Sequence, residues 1–326
     1  MSARERGLNI GLASLLLVVP LAAAYFGEPY YLTLATRIAI LSIAAVGLNF
    51  ALGLGGLVSF GHAAYFGLGG YAAGILANHA LNGQAILAWP MEIGGTTFMP
   101  AIWLVAVLVA ALTAFLIGML SLRTTGVYFI MITLAFAQML YYFAVSWPAY
   151  GGEDGLPVYV RNSFPGLNTF DPVQFFLISF AALMVSLAIF SVLRNSNFGL
   201  ALRASRQNAG RLESLGIEVF RLRLTAFVVS GAITGLAGAL YADLNRFVSP
   251  QMLSWHMSGE IMVFVILGGV GRLFGPVAGA ALYIFLEQSL GEVSDYWQVF
   301  LGLLLLCVVL FARGGLIGTV LDRRNG

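Results

Sequence analysis

The sequence contains no lysine; all 16 of its basic residues are arginines. Without lysine it cannot carry the G-x-x-x-x-G-K-[ST] loop that cradles nucleotide phosphates. Only 9% of its 326 residues are charged, against roughly 25% in an ordinary soluble domain. Its one cysteine, Cys307, lies in an apolar run, which excludes an internal disulfide and a thiolate metal site. No H-E-x-x-H, no G-x-S-x-G and no cluster of His, Cys and carboxylate at ligand spacing occurs. These absences leave no catalytic residue, metal site or cofactor to expect, and no nucleic-acid partner is indicated.

The chain is instead 60% hydrophobic, and apolar runs of about 20 residues, enough to cross a bilayer as helices, recur along it. The expected fold is an all-α polytopic membrane protein, one domain over residues 1–326. The first run, Leu8 to Phe26, outlasts the apolar core of about 7–15 residues in a signal peptide, and reads as a retained span. Further spans are expected at about Tyr31–Leu52, onward from His62 to about Ala77, and at Pro100–Leu122 and Val127–Trp147. Val173–Leu193, Leu224 to about Asp243, and Trp297–Ala312 complete the set. That makes about eight full transmembrane helices, plus a glycine-broken stretch, Glu260–Gln288, that either spans twice or re-enters.

Charge orders these spans. Arg4, Arg6, Arg123, Arg313, Arg323 and Arg324 share one side with the loop Arg194–Arg223, provided the broken stretch leaves on the side it entered. Glu28, Glu92, Glu153, Asp154, Asp171, Glu292 and Asp295 fall on the other. Arginine bias makes the first side cytoplasmic, with both termini there.

The loop Arg194–Arg223 is the main polar feature. Arg194, Arg203, Arg206, Arg211, Arg221 and Arg223 surround Phe198, Leu202, Ala209, Leu212 and Gly216, which recur at helical steps. Asn197 suits an N-cap, Gly216 a C-terminal stop, and Gly210 leaves open one helix or two. A solvated loop is one reading. A docking element for a soluble partner is the other, since the apolar stripe has no evident core to cover. On the docking reading Leu212 and Leu215 supply surface, Arg211 and Glu213 orient it, and Gly216 permits close approach or a left-handed turn.

Two glycine breaks echo each other. Leu54-Gly55-Gly56-Leu57-Val58-Ser59-Phe60-Gly61, followed by His62, and Leu267-Gly268-Gly269-Val270-Gly271-Arg272-Leu273-Phe274-Gly275 share an LGG…FG frame. Paired broken segments point to a transport path between repeats; chance likeness of glycine-rich breaks is the alternative. Gly55, Gly56, Ser59, Gly61, His62, Gly268, Gly269 and Gly275 are therefore the candidate path or helix-break residues. Arg37, His62, Asp243, Glu260 and Glu287 fall at membrane depth, where ionisable groups are functional candidates. Snorkelling explains Arg37, Asp243 and Glu260 equally well. Glu287 sits close to the outer side, and His62 at a helix start satisfies backbone groups. None forms a proton relay. Gly67, Gly70 and Gly74, with Gly231, Gly235 and Gly238, line helix faces for close packing.

The chain resembles the LivM-type permease subunits of bacterial ABC importers for branched-chain amino acids. The likeness covers nearly the whole chain and rests on Gly55–Gly67, Leu122-Arg123-Thr124-Thr125-Gly126-Val127-Tyr128-Phe129, Thr133-Leu134-Ala135-Phe136 and Gly151-Gly152-Glu153-Asp154-Gly155-Leu156. Leu202-Arg203-Ala204, Asn208, Leu215-Gly216-Ile217, Gly275-Pro276 and Leu310–Leu316 extend it. The resemblance implies an inner-membrane assembly with a sister permease, two ATP-binding subunits and a periplasmic solute-binding protein. It makes the region of Arg203, Arg206, Asn208, Arg211, Leu212, Glu213, Leu215 and Gly216 the ATPase-coupling element. The departure Gly210-Arg211-Leu212-Glu213-Ser214 leaves its fine contacts open. The outer loop Trp147–Pro172, tipped by Glu153 and Asp154, is expected to meet the binding protein, although a plain turn also explains it. Family members that import urea, amides or aromatic acids keep other solutes open. A stand-alone secondary transporter is the rival without an ATPase.

Overall fold

The computed structural model describes residues 3–83, 85–87, 93–159, 161–292, 296–311 and 314–322. Glu92, Asp295, Ala312, Arg313, Arg323 and Arg324 lie outside them, as do the side chains of Arg4, Arg6 and Cys307.

Helix α1 (Ala3–Tyr25) runs from the end that carries the arginine loop, here the loop end, to the opposite, far end. Gly27 turns the chain into α2 (Pro29–Asn49), which continues through a π-helical turn, Phe50–Leu54. After the first glycine break, α3 (His62–Asn82) returns. Helices α4 (Met99–Ser121) and α5 (Val127–Val145) form the next pair, and α6 (Pro172–Asn195) leads to the arginine loop. That loop folds as α7 (Asn197–Gln207) and α8 (Ala209–Ser214) before α9 (Val219–Asn245). Helices α10 (Trp255–Gly268) and α11 (Gly275–Gly291) form a hairpin, then α12 (Trp297–Phe311) and the short α13 (Gly315–Asp322) follow.

Among the described residues six helices, α1, α2 with its π turn, α4, α5, α6 and α9, are individually long and apolar enough to cross a bilayer. The spans expected onward from His62 and at Trp297–Ala312 fall on α3 and α12, which are not among these six. The broken stretch does turn back: α10 and α11 pack against each other, and Arg37 near the far end of α2 meets Glu287 of α11. It is also longer than expected, running from Trp255 to Gly291.

Helix α9 is the hub and packs on α2, α3 and α4. In lipid, apolar burial gives helices no reason to associate, so close backbone approach has to do so. A Cβ on Gly231 would lie 2.6 Å from the Ala114 side chain of α4, and one on Gly235 would strike Ala110. Toward α3, one on Gly238 would strike the Phe66 carbonyl, and one on Gly69 the Gly235 carbonyl. The close α3 partners are thus Gly69 and, of the expected stripe, Gly70, whose N lies 3.1 Å from where a Cβ on Gly238 would be. Gly67, Gly70 and Gly74 face Leu253, Met252 and Val248, the segment between α9 and α10. At the far end, residues 156–157 pair antiparallel with 247–248, tying the α5–α6 loop to that segment.

Candidate functional site

The first glycine break frees backbone groups that a helix would have bonded to itself. At membrane depth such groups need protein partners. Arg206 Nη1 donates to the Gly53 carbonyl at 3.0 Å, and Ser258 Oγ of α10 donates to the Phe60 carbonyl at 2.6 Å. Ser258 also accepts from Ala63 N–H at 2.9 Å, and Ser59 Oγ accepts from Gly61 N–H at 3.1 Å. Gly56 takes φ +68°, a left-handed conformation that suits glycine, with the Arg206 stem against it. His62 is fully buried, its Nε2 2.7 Å from Ser230 Oγ, and that hydroxyl donates to the Gly47 carbonyl at 2.5 Å. Since the serine proton is committed to Gly47, the imidazole N–H donates to the serine oxygen. His62 therefore links α2, α3 and α9 and reaches the backbone through Ser230.

The second break lies against the first. Gly269 and Gly271 adopt φ +120° and +78°, and a Cβ on Gly53 would sit 2.7 Å from Gly271 N. Asn49, at the end of α2, clasps this turn from both sides. Its Oδ1 accepts from Gly271 N–H at 2.7 Å and its Nδ2 donates to the Arg272 carbonyl at 2.9 Å. Within the hairpin, a Cβ on Gly268 would strike the Gly275 carbonyl, and one on Gly279 the Phe264 carbonyl. Gly269 also abuts Gly315 at the start of α13. The two LGG frames thus converge on one point.

The arginine loop sits directly beneath that point. It forms two helices, but the break falls at Asn208 rather than Gly210, and Ser196 rather than Asn197 caps α7. Asn208 Oδ1 accepts from Arg211 N–H at 3.0 Å, and Gly216, at φ +81°, ends α8 with open space where a Cβ would go. Within the chain its role is the left-handed turn. The apolar stripe does have a core to cover, contrary to the sequence reading. Phe198 stacks on Phe50 with centroids 6.2 Å apart, Leu202 packs against Gly55, and Leu212 is buried. Leu212 therefore anchors α8 to its own chain and supplies no docking surface. Leu200 and Leu215 are 62% and 73% exposed, which makes them the outward apolar pair.

Several of the loop's arginines fasten the loop or tie it to its neighbours. Arg203 donates to the carbonyls of Gly199 and Arg194, Arg223 to that of Ser205, and Arg194 pairs with Glu5 at 3.6 Å. Arg211 and Glu213 point to solvent. Between the first break, the α4–α5 turn and the guanidinium groups of Arg206 and Arg223 lies a cavity of about 240 Å³. Leu122, Thr124, Thr125 and Gly126 line its α4–α5 side.

At the far end, Glu153 and Asp154 are exposed on a short 3₁₀ turn, distant from the breaks. Two groups assigned to snorkelling are held by partners. Asp243 is buried and accepts from Asn162 Nδ2 at 2.6 Å, while Arg37 Nη2 meets both Glu287 oxygens at 3.1 Å. Asn49, Ser230 and Ser258 escaped the sequence reading. Asn49 alone offered a signal, as an amide within an apolar run.

A bundle of membrane-crossing helices with two polar-clasped glycine turns above an amphipathic loop is the architecture of a polytopic membrane permease. The chain belongs to the family described as branched-chain amino acid transport system / permease component, which matches residues 30–309. It is 27% identical to the high-affinity branched-chain amino acid transport system permease protein LivM of Salmonella typhimurium strain LT2, over 93% of this chain and 73% of that protein. The LivM protein of Escherichia coli K12 matches at the same identity and coverage. The autoinducer 2 import system permease protein LsrC of Yersinia pseudotuberculosis is 28% identical over 49% of this chain and 48% of its own length. No solved structure matches the chain.

Proposed function

We propose that the chain is the membrane-spanning permease of an importer driven by ATP hydrolysed on two separate subunits. A sister permease lies beside it and a solute-binding protein delivers branched-chain amino acids at its far end. The loop end and both termini then face the cytoplasm of a bacterium, with the bundle in the inner membrane. The arginine bias supports that orientation, and the solute named for the LivM relatives supports the cargo. The Glu153–Asp154 turn at the far end is exposed and so available to that binding protein.

The carrying observation is the fastening of α7 to the first glycine break, by Arg206 on the Gly53 carbonyl and Leu202 on Gly55. An ATPase shifts membrane spans only through a contact that differs between its states. Pressure on Leu215 and its exposed neighbours moves α7 and α8 as a unit, because Leu212, Arg203 and Arg223 lock them to the bundle. The displacement reaches Gly53, then Gly271, and so the α10–α11 hairpin.

The test is leucine-stimulated ATP hydrolysis and uptake by the assembled complex in proteoliposomes. Leu215→Asp is expected to abolish stimulation at unchanged membrane abundance. Full stimulation in this variant would put coupling elsewhere, and turnover of ATP by the isolated chain would remove the reading. For orientation, Cys307→Ser with Ser214→Cys or Ser163→Cys is labelled by an impermeant reagent on spheroplasts. Labelling at 163 and not at 214 is expected.

A further inference from the structure

At the far end, a cavity of about 290 Å³ opens between the end of α9 and the start of α10. It is just below the ~300–1,000 Å³ of sites for drug-sized ligands, a size suited to a smaller molecule. Its wall combines one carboxylate, Glu260, with Tyr241, His256 and Ser249, and with the thioethers of Met252 and Met257. Glu260 is partly buried, and no side chain among the described residues hydrogen-bonds or ion-pairs with it. Among the described residues the cation near it is Arg37, which directs its Nη2 to both oxygens of Glu287 at 3.1 Å. Two carboxylates thus share one guanidinium, and the negative charge in excess lies on the cavity wall.

From this geometry we infer that the cavity is an entry site for an α-amino acid, with Glu260 receiving its ammonium group. The inference rests on the importer reading and adds the recognition chemistry. A partly buried carboxylate that no cation hydrogen-bonds is costly in a low-dielectric wall, and an ammonium group held against it lowers that cost. The Ser249 hydroxyl accepts from Gln251 N–H at 3.2 Å and keeps its proton for a ligand carboxylate. His256 and Tyr241 offer further donors. Met252 and Met257 are flexible apolar groups that adapt to branched aliphatic side chains of different shape. The site also sits on the hairpin whose other end is clasped by Asn49, so an occupant bears on the element that the loop end would move.

Binding of radiolabelled L-leucine is measured on the full chain in nanodiscs of phosphatidylcholine alone, which contribute no primary ammonium from lipid. Leucinamide, with the ammonium but no carboxylate, should compete; 4-methylvalerate, with the reverse, should not. Glu260→Gln should weaken binding at least about tenfold, with Glu260→Asp retaining part of it. Glu287→Gln should also weaken it, because Arg37 is released to pair with Glu260. The double variant Arg37→Met with Glu287→Gln should restore it. A merely structural role for Glu260 would not give that reversal. Wild-type binding in Glu260→Gln, competition by 4-methylvalerate alone, no saturable binding to the wild type, or no recovery in the double variant would each overturn the site. Leucine-stimulated hydrolysis by the complex that persists in Glu260→Gln would remove the site and leave the importer. Binding to the chain without any stimulated hydrolysis in the complex would remove the importer and leave the site.

Discussion

The two glycine turns, residues 53–61 and 268–275, share a frame in sequence and touch in space, yet they are held by different means. At the first, side chains from other elements, Arg206 and Ser258, meet the loose carbonyls. At the second, helix backbones touch through Gly268, Gly275 and Gly279, and Asn49 clasps the turn. A turn held by side chains can shift when those side chains shift. A turn formed by backbone contact moves as a block with both of its helices. The difference assigns the first turn to receiving motion from the loop end and the second to passing it on.

The largest effect is expected where backbones touch. Gly279→Leu places a side chain into the Phe264 carbonyl. Overpacking costs about 1–3 kcal/mol where neighbours can give way, and backbone cannot do so readily. Loss of the folded, monodisperse protein is expected by thermal unfolding in detergent, whereas Gly55→Ala, whose Cβ would meet the Leu202 side chain at 3.3 Å, should fold normally. Equal melting of the two variants would erase the distinction between the turns.

Next in size is Asn49→Leu, which strands Gly271 N–H and the Arg272 carbonyl. At about 1–3 kcal/mol for each stranded group, a loss of about 2–6 kcal/mol is expected. Amide exchange should accelerate at Gly271 before it does in α9; unchanged exchange would mean that the clasp is idle. Arg206→Met should cost less, about 1–2 kcal/mol, because much of this side chain remains near solvent. Its main effect should be on stimulated ATP hydrolysis in the complex, and unaltered stimulation would sever the loop from the first turn. Leu215→Asp is the smallest: its exposure predicts a change within about 0.5 kcal/mol in the isolated chain. A larger drop in melting temperature would show that Leu215, like Leu212, belongs to the bundle.

Legibility followed the kind of physics involved. The spans were readable because runs of apolar residues have few alternatives to a bilayer. The breaks were readable because glycines interrupt those runs. The α7–α8 loop was only half readable: the period identified its helices and buried stripe, but no pattern says what a stripe covers. Phe198 and Leu202 looked available to a partner, yet they close on Phe50 and Gly55, residues about 150 positions earlier. Gly70 of the expected stripe does meet α9, but Gly69 was left out of it and Gly67 and Gly74 turn to Leu253 and Val248, because helical spacing cannot say which face meets another helix.

By itself, then, the sequence determined an all-α membrane bundle, its alternation, two glycine breaks and one arginine-rich loop, since composition and local period decide where a chain can enter lipid. Tertiary structure alone decided that the breaks meet at Gly53 and Gly271, that Asn49 clasps the second of them, and that Arg37 hydrogen-bonds Glu287 while Glu260 lines a cavity. Those outcomes depend on pairings between residues about 200 or more positions apart, and pairing at that range is set by the packing of whole helices, which leaves no local trace.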